Sequence, residues 1–202
     1  MDALLENTFQ MLGFDEIVNI NISEIMIMLV KLYEKVRQKY YRNPVERLRE
    51  KGAVIGDNVN IYDGGGASID YNFCFLLTIG NNVTISNSTL LMHDASIKKE
   101  LGYVKIGKIT IGDNVFVGAG CIILPNVKIG NKVIIGAGSV ISKNIPDGVV
   151  AVGNPVRIIG TYDEYMEKCS NWISTRPCFD EASLDDEKQL IRQELDNWGF
   201  IK

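Results

Sequence analysis

The chain has 202 residues, of which 46% are hydrophobic and 23% are charged. This composition excludes a disordered chain, a collagen-like repeat and a disulfide-rich scaffold. The 21 basic and 25 acidic residues give a net charge of −4, so we expect no nucleic-acid partner, because a phosphate backbone attracts positively charged proteins.

Histidine occurs once, as His93, so a site built from several histidines of one chain is excluded. The four cysteines form no CxxC pair and have no histidine partners at zinc-ligand spacing, and we therefore expect no metal site. The sequence shows neither a secretory signal nor a run of about 20 apolar residues. This predicts a cytoplasmic protein without an integral membrane segment.

Residues 1–51 form the first predicted segment, which is helical. Apolar residues recur there at steps of three and four, at Ile25, Met28, Leu29, Leu32 and Val36. Pro44 marks a break between helices. Basic residues crowd the second half of the segment, but glutamates are interleaved with them, so we interpret this half as a solvated helix face.

Residues 52–159 repeat with a period of six. Aliphatic residues occupy every sixth position at Ile111, Val117, Ile123, Ile129, Ile135 and Ile141. The same step links Ile55 to Ile61, passes through Ala67 and Phe73, and continues at Ile79, Ile85 and Leu91. The two frames are not related by a multiple of six, which predicts a loop insertion at about 92–108.

A period of six suits short strands joined by tight turns, and three hexads make one coil of a triangular prism. The aliphatic columns would fill its interior, and Asn- and Gly-containing pairs would occupy corners with positive φ. A glycine-rich β-sandwich is the alternative, and six successive hexads in register argue against it. Residues 160–202 are acidic and carry helical spacings, which predicts a C-terminal helical cap or arm over the open end of the prism.

The passage from Ile111 to Ile159 and the segment Leu90–Ser96, LLMHDAS, resemble the hexapeptide-repeat acyltransferases. The passage is similar to maltose and galactoside O-acetyltransferases, and the segment to the histidine loop of surface-polysaccharide acyltransferases. The likeness covers about residues 52–159. It implies a mainly β protein built on a left-handed parallel β-helix, with α-helical segments at both ends. It also implies transfer of an acetyl group from acetyl-CoA to a hydroxyl of a sugar or surface polysaccharide, by a homotrimer with sites between subunits.

The resemblance implies a role for each candidate site residue. His93 is the expected catalytic base, since an imidazole with a pKa near 7 suits removal of a proton from a hydroxyl. Contacts with CoA are expected from the backbone at Ala119 and Ala137, which lie one coil apart, and from Ser142, Lys143 and Arg157. Gly160 departs from the family, because the sugar acetyltransferases carry a further arginine at this position.

Two aspartates are candidates for acceptor binding. Asp94 follows His93 directly and should point to the opposite side of an extended chain, so we do not expect it to orient the imidazole. Asp70 is the other candidate, and it is also one possible orienting group for His93 beside a backbone carbonyl. A γ-class carbonic anhydrase is excluded by the single histidine. N-acetyl transfer to an amino sugar or xenobiotic and a non-catalytic β-helix assembly module remain open.

Overall fold

The computed structural model describes residues 26–32, 43–62, 69–179, 181, 188, 191–192 and 199–201. Contacts divide the chain into two units, Met1–Asn43 and Pro44–Lys202. In the first unit residues 26–32 are helical, as the spacing of Met28, Leu29 and Leu32 predicts. Ile25 and Val36 of the same pattern lie outside the described residues. None of the helices described has the length and apolar character that crossing a bilayer requires.

Helix α1, Pro44–Glu50, belongs to the second unit, so the division falls earlier than the predicted boundary at residue 51. Its apolar face explains the difference, because Val45 and Leu48 are buried with the core of the repeat. The guanidinium of Arg49 donates hydrogen bonds to the carbonyl oxygens of Ile55, at 3.0 Å, and Gly56, at 2.6 Å. The helix therefore closes the first coil of the repeat.

Short parallel strands form three walls that the chain visits in turn. Wall A contains β1 (Val54–Ile55), β3 (Leu77–Ile79), β8 (Ile109–Ile111) and β11 (Val127–Ile129). Wall B contains β2 (Val59–Tyr62), β4 (Val83–Ser86), β9 (Val115–Val117), β12 (Val133–Ile135), β14 (Val149–Val152) and the antiparallel β15 (Arg157–Thr161). Wall C contains β5 (Thr89–Leu90), β10 (Ile122–Ile123) and β13 (Val140–Ile141). Together they make a parallel β-helix.

The register confirms the predicted coil of 18 residues. Ile111 pairs with Ile129 in wall A, Val117 with Ile135 in wall B and Ile123 with Ile141 in wall C. All six side chains are at most 1% exposed and stack in the interior. Their burial removes apolar surface from water and is the main source of stability of the coils.

Two positions of the earlier frame are wrong. Leu90 pairs with Ile123 and is buried in the interior column, whereas the predicted Leu91 is half-buried. One coil below, Ile69 pairs with Leu90, and Phe73 lies in the following turn instead. The cause is local: Asn87 takes a positive φ that starts β5 one residue early, and extra residues enter the turn after Asp70. Ala67 lies outside the described residues.

The predicted insertion leaves the prism after β5. It contains β6 (His93–Asp94), helix α2 (Lys98–Leu101) and β7 (Lys105–Ile106), and β6 and β7 pair antiparallel. The N–H of Gly107 donates a 2.9 Å hydrogen bond to the carbonyl oxygen of Met92, which closes the insertion at its base. Because of the insertion, Ile79 and Ile111 are stacked neighbours although they are 32 residues apart in sequence.

The corner residues adopt the predicted left-handed backbone. Asn58, Asn82 and Asn114 have φ of 51°, 55° and 57°, and Lys132 continues the column with φ of 51°. Side-chain amides join successive corners, from Asn58 to Asn82 at 2.9 Å and from Asn82 to Asn114 at 3.2 Å. These bonds hold neighbouring coils in register.

The C-terminal part covers the last coil. β15 pairs antiparallel with β14 and so occupies the strand edge that the prism would otherwise expose. Helix α3, Tyr162–Ile173, follows, and the side chains of Thr161 and Glu164 form a capping box at its start. A last pair of strands, β16 (Cys178–Phe179) and β17 (Phe200–Ile201), runs parallel.

Candidate active site

Asp70 and His93 form an ion-pair contact at the start of the insertion. Asp70 lies one coil below β5, where its backbone N–H donates a 3.1 Å hydrogen bond to the carbonyl oxygen of Leu90. From there its Oδ2 contacts Nδ1 of His93. The side chain of Asp70 is 6% exposed and that of His93 is 35% exposed. The carboxylate is therefore sheltered, while the imidazole reaches solvent.

The imidazole is also held on one face by an aromatic ring. The ring of Phe73 stacks on that of His93, with centroids 4.9 Å apart and an angle of 30° between the planes. Nε2 receives no hydrogen bond from any residue that the structure describes. Two contacts thus fix the ring, and Nε2 is the nitrogen left for a substrate.

Asp94 has its own partners. Its carboxylate pairs with Lys105 of β7 and accepts a 2.8 Å hydrogen bond from the backbone N–H of Ser96. The Lys105 ammonium, and after it the Ser96 N–H, hold the pKa of Asp94 well below its usual value. A carboxylate engaged in this way does not orient His93, in agreement with the alternation of side chains along β6.

The predicted CoA-binding alanines stack at one corner of the prism. Ala119 and Ala137 are both exposed, and the N–H of Gly138 donates a 2.9 Å hydrogen bond to the carbonyl oxygen of Ala119. Within the described part of the chain, the N–H groups of the two alanines donate to no acceptor. A Cβ on Gly118 would lie 2.6 Å from the backbone nitrogen of Ala137, so the close approach of these coils requires glycine there.

The predicted site residues fall on the two edges of wall C. Ala119 and Ala137 precede β10 and β13, on the side where the chain enters the wall, which we call the entry edge. Arg157 joins them there, since it pairs with Val152 at the end of β14. Residues that follow the wall C strands lie on the opposite side, the exit edge: His93, Ser142 and Lys143. Ser142, Lys143 and Arg157 are exposed. The structure therefore does not bring all the predicted residues together within one chain.

Phe73 was missed as a site residue because the sequence frame placed it in the interior column. Its contact with His93 depends on the path of the turn after Asp70, and the six-residue period carries no signal for that path. The Asp70 contact was one of two possibilities, and the structure distinguishes them. Among the described residues, no cluster of three or more His, Cys, Asp or Glu side chains is arranged to hold a metal ion.

Comparison with known proteins identifies the family. The family model for bacterial transferase hexapeptide repeats matches residues 108–143. A putative acetyltransferase of Bacillus subtilis is 41% identical over 100 residues, which are 49% of this chain and 56% of that protein, so the chain spans little more than half of that relative. Protein CapG of Staphylococcus aureus is 37% identical over 128 residues, which are 61% of this chain and 74% of that protein. The chain belongs to the hexapeptide-repeat acyltransferase family.

Other members of the hexapeptide-repeat acyltransferases match a similar part of the chain. Galactoside O-acetyltransferase of Lactococcus lactis is 33% identical over 153 residues, covering 63% of this chain and 73% of its own length. The solved maltose O-acetyltransferase of Clostridium difficile 630 is 31% identical and covers 56% of this chain and 72% of its own, with a TM-score of 0.42. The parallel β-helix of this chain is the left-handed β-helix of the hexapeptide-repeat acyltransferases.

Proposed function

We propose that the chain is an O-acetyltransferase that moves the acetyl group of acetyl-CoA to a hydroxyl of a sugar or of a surface polysaccharide. The contact between Asp70 and Nδ1 of the single histidine carries the proposal. A carboxylate at Nδ1 accepts the Nδ1–H and so leaves the lone pair of the neutral imidazole on Nε2. Relatives that are named galactoside O-acetyltransferases support the acceptor class.

His93 acts first as a base and then as an acid. Its Nε2 takes the proton of the acceptor hydroxyl while the hydroxyl oxygen forms a bond to the thioester carbonyl carbon that acetyl-CoA supplies. Asp70 stabilises the imidazolium that results, through its negative charge. As the carbon–sulfur bond breaks, His93 returns the proton to the sulfur, and the histidine ends the cycle neutral.

The entry edge of wall C suits the pantetheine arm of CoA. Two N–H groups without partners, at Ala119 and Ala137, offer hydrogen bonds to its amide carbonyls, and the two methyl groups leave room for it to lie close. We assign the Ala119 N–H to the developing oxyanion of the thioester as well. Arg157 on the same edge, and Ser142 with Lys143 on the other, supply the contacts to the phosphates.

The separation of the two edges supports a homotrimer with shared sites. Wall C stands between His93 and the Ala119–Ala137 corner of the same chain, so the base and the thioester site are brought together only if each comes from a different subunit. Leu101, Tyr103 and Ile106 of the insertion are more than half exposed, which suits contact with a neighbour. Closed rotational symmetry then gives three equivalent sites.

The two aspartates take different roles in this proposal. Asp70 is a positioning residue, because its sheltered carboxylate is occupied by His93. Asp94 remains the candidate for acceptor binding, since it is partly exposed beside His93 and its charge is held by Lys105. The four cysteines are free thiols, in keeping with the reducing cytoplasm in which we place the reaction.

The test is an acceptor screen with acetyl-CoA, in which products are identified by the added acetyl mass and free CoA is measured as thiol. We expect acetylated sugar hydroxyls with the wild type, and a loss of about 10²–10⁴-fold in turnover for His93→Ala, the usual contribution of a general base. Products acetylated on an amino group would indicate N-transfer. Absence of CoA release and of CoA binding would indicate an assembly module.

A further inference from the structure

An aromatic surface extends from the His93 imidazole along the turn that carries Asp70. We propose that Phe73 and Phe75 form the acceptor face of the site, on which a pyranose ring lies with its C–H side against Phe75 while one of its hydroxyls reaches Nε2 of His93. In this proposal Phe73 is a positioning residue for the imidazole and Phe75 selects the acceptor. The inference rests on the proposed O-acetyl transfer and adds the class of acceptor to it.

The turn that carries both rings is held firmly at its centre. The Cys74 side chain is fully buried, and its sulfur lies 3.3 Å from the carbonyl oxygen of Tyr71 and 3.5 Å from that of Lys51. The N–H of Phe73 donates a 3.2 Å hydrogen bond to the carbonyl oxygen of Asp70. With Cys74 fixed inward, the side chains of Phe73 and Phe75 on either side of it emerge at the surface.

The rings connect the imidazole to solvent. The centroid of Phe73 is 4.9 Å from that of His93 and 6.3 Å from that of Phe75, so Phe75 lies no more than about 11 Å from the imidazole. Phe73 is half-buried, whereas Phe75 is 56% exposed. A large apolar ring left in water beside a candidate base has a free-energy cost that an apolar ligand surface would relieve.

A pyranose matches this surface better than other hydroxyl compounds do. Its ring carries several C–H groups on one flat face and hydroxyls around the rim, so the face packs on an aromatic ring while a rim hydroxyl stays free to react. An acyclic polyol such as glycerol has hydroxyls but no flat apolar face. The surface therefore favours cyclic sugars over acyclic alcohols, and the preference resides in Phe75.

The experiment compares Phe75→Ala and Phe75→Tyr with the wild type, using p-nitrophenyl-free methyl pyranosides and glycerol as acceptors at saturating acetyl-CoA. We expect Phe75→Ala to raise KM for the pyranoside about five- to tenfold, the scale of one aromatic contact, with little change for glycerol or for acetyl-CoA. Phe75→Tyr keeps the ring and should stay within about twofold of the wild type. Phe116→Ala is the matched control, since Phe116 is an exposed phenylalanine on wall B.

Phe73 is tested by a different readout. Phe73→Ala should lower kcat for both acceptors with little change in the KM for acetyl-CoA, and Phe73→Tyr should restore kcat, because a stacked ring is what holds the imidazole. A structural role alone would instead lower thermal stability without this split between kcat and KM.

Each result decides the proposal. A selective rise in pyranoside KM for Phe75→Ala, with unchanged oligomeric state, supports it. An equal loss on glycerol and pyranoside, an unchanged KM, or loss of the oligomer overturns it while acetyl transfer by the wild type still stands. A wild type that acetylates no hydroxyl overturns both the proposed function and this inference.

Discussion

Replacing Asp70 by Asn tests the pairing with His93 while keeping the size of the side chain. An ionised partner makes a hydrogen bond worth about 1.5–3 kcal/mol, against about 0.5–1.5 kcal/mol for a neutral one. Loss of the charge thus weakens stabilisation of the imidazolium by about 1–1.5 kcal/mol, or about tenfold in rate. The Asn amide also offers an N–H to Nδ1, which holds the proton on Nε2 and removes the base. The total loss therefore lies between about tenfold and the 10²–10⁴-fold of general base catalysis.

The assay is kcat/KM for the best acceptor of the screen, with thermal unfolding measured on the same samples. Asp113→Asn is the matched control, because Asp113 also accepts a hydrogen bond across coils, from the Asn81 N–H at a corner, and takes no part in the site. We expect full activity from the control and a folded, slow Asp70→Asn. A kcat/KM for Asp70→Asn within about threefold of the wild type would refute the positioning role.

Three further predictions concern the coils and the entry edge. Ile129→Ala leaves a cavity in a fully buried column and should lower the free energy of unfolding by about 2–5 kcal/mol, measured by urea denaturation; a loss under about 1 kcal/mol would contradict the column. Gly118→Ala places a methyl group against the backbone of Ala137 and should raise KM for acetyl-CoA, which isothermal titration with CoA checks independently. Arg157→Ala should raise KM about tenfold for acetyl-CoA but not for acetyl-pantetheine, which lacks the phosphates; equal effects on both donors would rule out a phosphate contact.

The regular part of the fold follows from local sequence. From Ile111 to Ile141 the period of six is unbroken, and each predicted interior residue is buried in the predicted register. The positive φ of Asn58, Asn82 and Asn114 was predictable for the same reason, since Asn tolerates the left-handed backbone. These features depend on a few neighbouring residues, so one sequence suffices to predict them.

The site was less predictable because its contacts join different coils. His93 was identified through its uniqueness and the family resemblance, but its contact with Asp70 depends on an offset of 21 residues between Ile69 and Leu90, not 18. The period of six gives no measure of such an offset. Phe73 was misplaced for the same reason, as was Leu91, since both lie where turn length and not the repeat decides which side chain points inward.

The hydrogen bond from Gly107 to Met92 has a consequence for how acceptor preference changes among related chains. Because the two ends of the insertion meet at this bond, residues 93–106 start and finish at nearly the same point on the prism. A segment of another length or composition can be exchanged there without altering the path of the coils on either side. Specificity and scaffold are thus separable, and a transplanted insertion should bring a new acceptor range to an unchanged thioester groove.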